Sequence, residues 1–186
     1  MLRIHTATNA DAVKNYFRAS DYYAEGESQE TVGRWGGDLA QMLGLSGRVD
    51  KTSFDRLCDN CRPDGSPLTP RTNGERRVGN DMVYSGPKSF GVVAMLAPEA
   101  ERRDLLGLLE RSAEETQWRM QADMKARVRK GGADTDRFTD NLLWSTYLHT
   151  TARPVDGMPP DPHPHVHAFT FNATFDPVEK KIKAGE

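Results

Sequence analysis

Apolar residues recur along the chain in two rhythms, a period of two and a period of three to four, and each predicts a kind of element. Residues 2–8 alternate loosely, as a half-buried strand does, and Thr8 or Asn9 stands where a helix cap belongs. The spacing turns helical over residues 10–18, with Val13, Tyr16 and Phe17 as its apolar positions. Small polar residues over 24–33 predict a loop, and residues 36–43 and 52–57 two short helices. The stretch 63–79, rich in Pro, Gly, Arg and Asn, predicts an exposed excursion. A strand is expected over 81–85, then an apolar element over 89–96 with Pro87 near its first turn, where the missing N–H is tolerated. Leu106, Leu109, Ala113, Met120, Met124 and Val128 recur at threes and fours or their multiples, which predicts one long amphipathic helix from 99 to 130, stopped by Gly131-Gly132. Residues 141–149 and 165–175 read as a hairpin-like pair of strands whose long connection holds Pro154, Gly157, Pro159 and Pro160. No terminal element is predicted over 179–186.

Strands gathered around one long helix, without regular βαβ alternation, predict an α+β fold with a central, largely antiparallel sheet and flanking helices. The 186 residues show no internal repeat and suit one domain, 1–186. A composition of 37% hydrophobic and 28% charged residues is that of a soluble globular protein. The first residues lack a basic segment followed by an apolar one, and no run approaches about eighteen apolar residues, so an intracellular protein without membrane insertion is expected. The net charge of −2 argues against a uniformly basic nucleic-acid binder. Clusters at Arg76-Arg77 and at Lys125, Arg127, Arg129 and Lys130 still allow a local basic groove. Cys58 and Cys61 have the spacing of half a zinc site, but no second pair exists to complete it.

The chemistry concentrates in two places. Three of the five histidines fall in Asp161-Pro162-His163-Pro164-His165-Val166-His167, directly before the apolar run at Ala168. Side chains alternate along a strand, so His165 and His167 share a face and can share a metal ion. His149, at the end of the preceding predicted strand, can supply a third imidazole, which leaves coordination positions open for a substrate oxygen. His163, next to a proline, looks like a bystander. The same pattern also describes an exposed, pH-sensitive histidine cluster. At the other end, Tyr16, Tyr22 and Tyr23 hold three of the five tyrosines. A phenol with a pKa near 10 is a nucleophile at neutral pH only with a base or an activated phosphate; otherwise such residues are core or interface aromatics.

Taken together, these segments resemble the MobF family of conjugative relaxases, the TraI/TrwC type, within the His-hydrophobe-His endonuclease superfamily. The resemblance rests on Arg34-Trp35, on Leu43-Gly44-Leu45-Ser46-Gly47-Arg48-Val49-Asp50, and on Gly79-Asn80-Asp81-Met82-Val83-Tyr84-Ser85-Gly86-Pro87-Lys88-Ser89. It continues through Asn141-Leu142, His149-Thr150-Thr151-Ala152-Arg153 and the segment 161–172. It implies a palm shared with rolling-circle initiators, shortened here at its C-terminal side, and a bacterial, cytoplasmic enzyme. It also implies site- and strand-specific nicking of single-stranded transfer-origin DNA through a 5′-phosphotyrosyl intermediate. By position, Tyr16 matches the first catalytic tyrosine, Tyr22 and Tyr23 a second pair, and His149, His165 and His167 the metal ligands. Asp81 matches an acidic residue that orients a ligand histidine or accepts the phenol proton. Lys88, Arg153, Arg76 and Arg77 are candidate DNA contacts. The implied cofactor is a divalent ion, magnesium or manganese in function, although three imidazoles also suit zinc, nickel or cobalt. Relaxosome accessory proteins and a coupling protein are implied partners.

This sequence departs from the family pattern at Phe17, where some relatives have tyrosine, in the short Tyr16-to-Tyr22 interval, in the cysteine pair and in the proline-rich stretch before His163. Three alternatives stay open from residues alone: a rolling-circle initiator or transposase, a hydrolase whose metal activates water, and an origin-binding module that does not cut. In initiators and transposases the tyrosine follows the histidines, whereas Tyr16 precedes them.

Overall fold

The computed structural model describes residues 1–19, 32–70, 76–130, 133–152 and 161–186. Five strands make the central sheet: β1 (Leu2–Ala7), β2 (Arg34–Gly36), β3 (Gly79–Ser85), and two longer ones, Trp144–Thr151 and Pro162–Phe171. Numbering the hairpin Lys125–Lys130 and Ala133–Phe138 as β4 and β5, these two are β6 and β7. The sheet order is β1-β3-β7-β6-β2, antiparallel throughout.

One face of this sheet is covered by α1 (Ala10–Ala19) and α3 (Lys51–Cys58), with α2 (Asp38–Met42) at the β2 edge. Asn9 is the residue that caps α1, accepting the Ala12 amide at 2.9 Å, and Asp50 caps α3 through the Ser53 amide at 2.8 Å. Val13 and Phe17, four apart on α1, and Phe54 and Leu57 on α3 are buried against Tyr147, Phe169 and Phe171. The ring of Phe17 lies 5.0–5.5 Å from those of Phe54, Tyr147 and Phe169. Each such ring contributes roughly 1.5–3 kcal/mol by leaving water. Gly37 (φ 95°) lets the chain turn into α2 where any Cβ would collide with the Leu142 carbonyl.

The other face packs on α4 (Lys88–Leu96) and α5 (Glu99–Ala122). Its buried stripe on α5 is Ala113, Gln117 and Gln121. Gln117 donates to the Tyr84 hydroxyl at 3.0 Å and accepts from Thr170 at 3.1 Å. Gln121 accepts the Asp38 and Leu142 amides and donates to the Asp38 carboxylate, docking α2.

The expected helix over 99–130 is corrected. It ends at Ala122, and residues 125–130 form β4, paired with β5. Met124 and Val128 matched a helical period only because they are four apart; Lys125-Ala126-Arg127-Val128 alternates, and Ala126 and Val128 are the buried positions. Gly131-Gly132 lies outside the described residues. The expectation of no terminal element is also corrected: β8 (Thr174–Asp176) pairs with β9 (Lys181–Lys183), and Gly185 bridges to Ala126. Asp176, fully buried, anchors this hairpin by accepting from Arg137 at 2.8 Å on both oxygens and from the Val178 and Glu179 amides. The stretch 63–79 is less of an excursion than its composition suggests, because Leu68 and Val78 are buried in the main core.

Candidate active site

Strand pairing decides which chemistry-bearing residues meet. In β6–β7 the partner of His165 is His149, and that of His167 is Tyr147. In β3–β7 the partner of Phe169 is Asp81. Alternation places Asp81, His149, His165 and His167 on the face covered by α1 and α3. The three imidazoles stand with ring centroids 5.0–5.3 Å apart, His149 and His165 stacked at 24°. Among the described residues, no three His, Cys, Asp or Glu side chains are closed into a metal-holding group. The imidazoles form an open array rather than a finished cage.

Two hydrogen bonds orient these rings. His167 Nδ1 is 2.9 Å from both oxygens of Asp81, and His165 Nδ1 is 2.6 Å from the His163 carbonyl. Carboxylate and carbonyl oxygens only accept, so both Nδ1 atoms carry a proton, and in the neutral ring the lone pair lies on Nε2. Burial first, then the neighbouring His167 and His165, pulls the His149 imidazole down to about 3. Burial also lowers that of His165, against the opposing hydrogen bond to His163. Imidazoles oriented by an oxygen at Nδ1 are donors that transition-metal ions take through Nε2, so the residues present fit a divalent ion.

Tyr16 lies over this array, its ring 5.9 Å from that of His167. Its neighbour Phe17 explains how it is held: a fully buried phenyl at that position pins α1 to the core, where a tyrosine hydroxyl would need a buried partner. Beside Tyr16 opens a cleft of about 510 Å³, lined by His5, Asn9, Tyr16, Asp81, His167 and Phe169, among others.

The remaining candidates are placed differently. Lys88 is exposed at the start of α4. Arg76 donates to the Cys58 carbonyl, and Arg77 to the Gly185 carbonyl at 2.9 Å and Asn172 at 3.2 Å, so both guanidiniums hold protein oxygens. Tyr22, Tyr23 and Arg153 lie outside the described residues. Cys58 is buried and its thiol is pushed up, by burial first and then by Asp55 and Asp59, so it has no thiolate character. Two features escaped sequence reasoning. His163 acts through its backbone, which has no residue-type signal. His5 reaches the cleft through the β1–β3 register, which only pairing reveals.

A family model described as TrwC relaxase matches residues 7–186. The chain belongs to the TrwC relaxase family. Within that family, the multifunctional conjugation protein TraI of Escherichia coli is 32% identical over 177 residues, which cover 94% of this chain and 10% of that protein. Solved structures of conjugative relaxase TrwC in complex with oriT DNA share the fold. A metal-bound complex matches with TM-score 0.81 and 26% identity over 100% of this chain and 61% of that one. A copper-bound complex gives 0.81 and 27%, covering 62% of its chain, and a metal-free complex 0.80 and 28%, covering 60%. This TrwC-family chain therefore spans about three-fifths of the solved relaxase chains and a tenth of TraI. No helix among its described residues is long and apolar enough to cross a membrane.

Proposed function

We propose that this chain nicks single-stranded transfer-origin DNA by attaching Tyr16 to the scissile phosphate. The observation that carries this reading is the approach of the Tyr16 ring, tilted at 5.9 Å, to His167, the member of the three-imidazole array that Asp81 holds. The related TrwC complexes, with oriT DNA and with bound metal, support the same substrate and cofactor class.

His149, His165 and His167 would hold a divalent ion, which supplies positive charge to a non-bridging phosphate oxygen and so favours in-line displacement. Magnesium or manganese is proposed in function, with zinc, nickel or cobalt as ions the same donors accept. Asp81 and the His163 carbonyl keep the protons on Nδ1, so that the Nε2 lone pairs face the ligand side. Phe17 fixes α1, and with it the approach of Tyr16. The Tyr16 oxygen forms a bond to phosphorus as the bond to the 3′-oxygen breaks, leaving a 5′-phosphotyrosyl link and a free 3′-OH. One phosphodiester replaces another, so the step is reversible and needs neither ATP nor water.

Tyr22 and Tyr23 are proposed for a second strand transfer, and Lys88 and Arg153 as phosphate contacts. Arg76 and Arg77 would reach DNA only by giving up the carbonyls they now hold. Residues 1–186 are proposed as the N-terminal part of a relaxase catalytic domain, with accessory relaxosome proteins and a coupling protein as further partners.

Labelled single-stranded oligonucleotides carrying candidate transfer-origin sequences, incubated with manganese or magnesium and resolved on denaturing gels, test this. A metal-dependent covalent adduct mapped to Tyr16 by mass spectrometry, absent in Tyr16→Phe and with chelator, is expected. Free cleaved ends without an adduct in both proteins would establish hydrolysis instead.

A further inference from the structure

The three-imidazole array is not equally open on all sides. His163, His165 and His167 follow one another at every second residue of β7, and burial deepens along them. His163 is exposed, His165 half-buried and His167 only 6% exposed. Tyr16 stands beside His167, and His149, also half-buried, lies opposite His165. Along this strand, an ion coming from solvent meets His163 first.

An irregularity in the strand brings the His163 ring into range. Between the His149–His165 and Thr151–Pro162 pairs, β6 advances two residues and β7 three, so β7 carries a bulge there. Pro164, buried against Gly91 of α4, holds the bulge in place. The His163 carbonyl turns to the Nδ1–H of His165, and the two ring centroids lie 5.0 Å apart with planes at 32°. The His165–His167 separation is also 5.0 Å. Two imidazoles that bind one ion at about 2.0–2.1 Å and a tetrahedral angle have centroids about 5 Å apart. The spacing therefore suits an ion shared by His163 and His165 as well as one shared by His165 and His167.

We propose that His163 and His165 form an outer divalent-ion site, where an ion from solvent is captured before His149 and His167 replace His163 and draw it inward. His165 is the common ligand, its ring 5.0–5.2 Å from those of the other three. Its Nδ1–H stays on the His163 carbonyl, and its Nε2 keeps the ion while the other ligands change. A pair of imidazoles suits nickel, copper or zinc rather than magnesium. This inference rests on the inner ion site proposed above.

Copper(II) is the probe. In His149→Ala/His167→Ala, which lacks two inner ligands, one copper(II) should still bind, with coupling to two nitrogens in its electron paramagnetic resonance spectrum. Adding His163→Ala should abolish that binding. In the otherwise intact chain, His163→Ala should leave the copper(II) affinity and the metal-free melting temperature unchanged. Stopped-flow uptake and release should both slow about 10-fold, because two linked ligands capture better than one. Binding that survives His163→Ala in the depleted background overturns the outer site, as does a folded depleted variant that binds no copper(II). Uptake by His163→Ala at the wild-type rate overturns the capture role, whether or not the depleted variant folds. Both results leave the inner site standing when wild type binds the ion. Wild type that binds none overturns the inner site and this inference together.

Discussion

The two faces of the central sheet bury polar groups in opposite ways. Under α5, Gln117 and Gln121 spend their amide groups on protein partners: Tyr84 and Thr170 for one, Asp38 and Leu142 for the other. Under α1, His165 and His167 each commit Nδ1 to an oxygen, a carbonyl and a carboxylate, beside the third imidazole of His149. A buried amide bonded at both ends is a fastener, whereas an imidazole oriented through Nδ1 is suited to act as a ligand through Nε2. The same alternation of a β-strand produces both: Val166 and Ala168 face the fastened side, His165 and His167 the chemical one.

Breaking the chemical face should abolish activity and spare the fold. His167→Ala is expected to reduce the Tyr16 adduct below detection while the far-UV circular dichroism spectrum stays that of wild type. Breaking a fully committed group should do the reverse. Asp176→Ala leaves Arg137 without its buried carboxylate, and we expect a loss of about 3 kcal/mol in urea unfolding, by analogy with broken buried ion pairs. Burial pushes this carboxyl up, but the Glu179 amide, Arg137, the Val178 amide and Lys183 outweigh it and hold it at about 2, below its ordinary 3.8. A depressed carboxylate stabilises the folded state above its unfolded value and loses that contribution as pH falls through the folded one. The stability gap between wild type and Asp176→Asn should therefore be full at neutral pH and shrink as pH drops from 3.8 through about 2.

Asp81→Asn sharpens the contrast from the middle. The amide oxygen can still accept from His167, so metal affinity measured by calorimetry should fall about 10- to 100-fold rather than vanish, with an unchanged melting temperature. Gln117→Leu probes the fastened side, where Tyr84 and Thr170 lose their common partner; a loss of about 1–2 kcal/mol is expected, with the rate of adduct formation unaltered. The smallest effect belongs to Lys51→Ala, which removes an exposed pair with Asp55 one turn away: about 0.3–0.5 kcal/mol, abolished in high salt.

Local pattern was enough for α1, α3, β1, β3 and the antiparallel β6–β7 pair, because caps and strand alternation are written in neighbouring residues. It was also enough to put His165 and His167 on one face, since the period of two is a property of any strand. It failed where local periods coincide by accident, as with Met124 and Val128, and where the buried stripe of α5 is built from glutamines that no hydrophobic count detects. The three-residue strands β2, β8 and β9 carry too few residues for a period to declare itself. Register belongs to the tertiary structure alone. Which strand lies beside which, and with what offset, brings His149 opposite His165, Asp81 beneath His167 and His5 beside Asp81. The sequence by itself determined that a closely spaced histidine pair on one strand face and an N-terminal tyrosine exist. Only the folded sheet decided that they meet, because residues 86 positions apart, such as Asp81 and His167, become neighbours through packing free energy summed over the whole core and not through anything local to either.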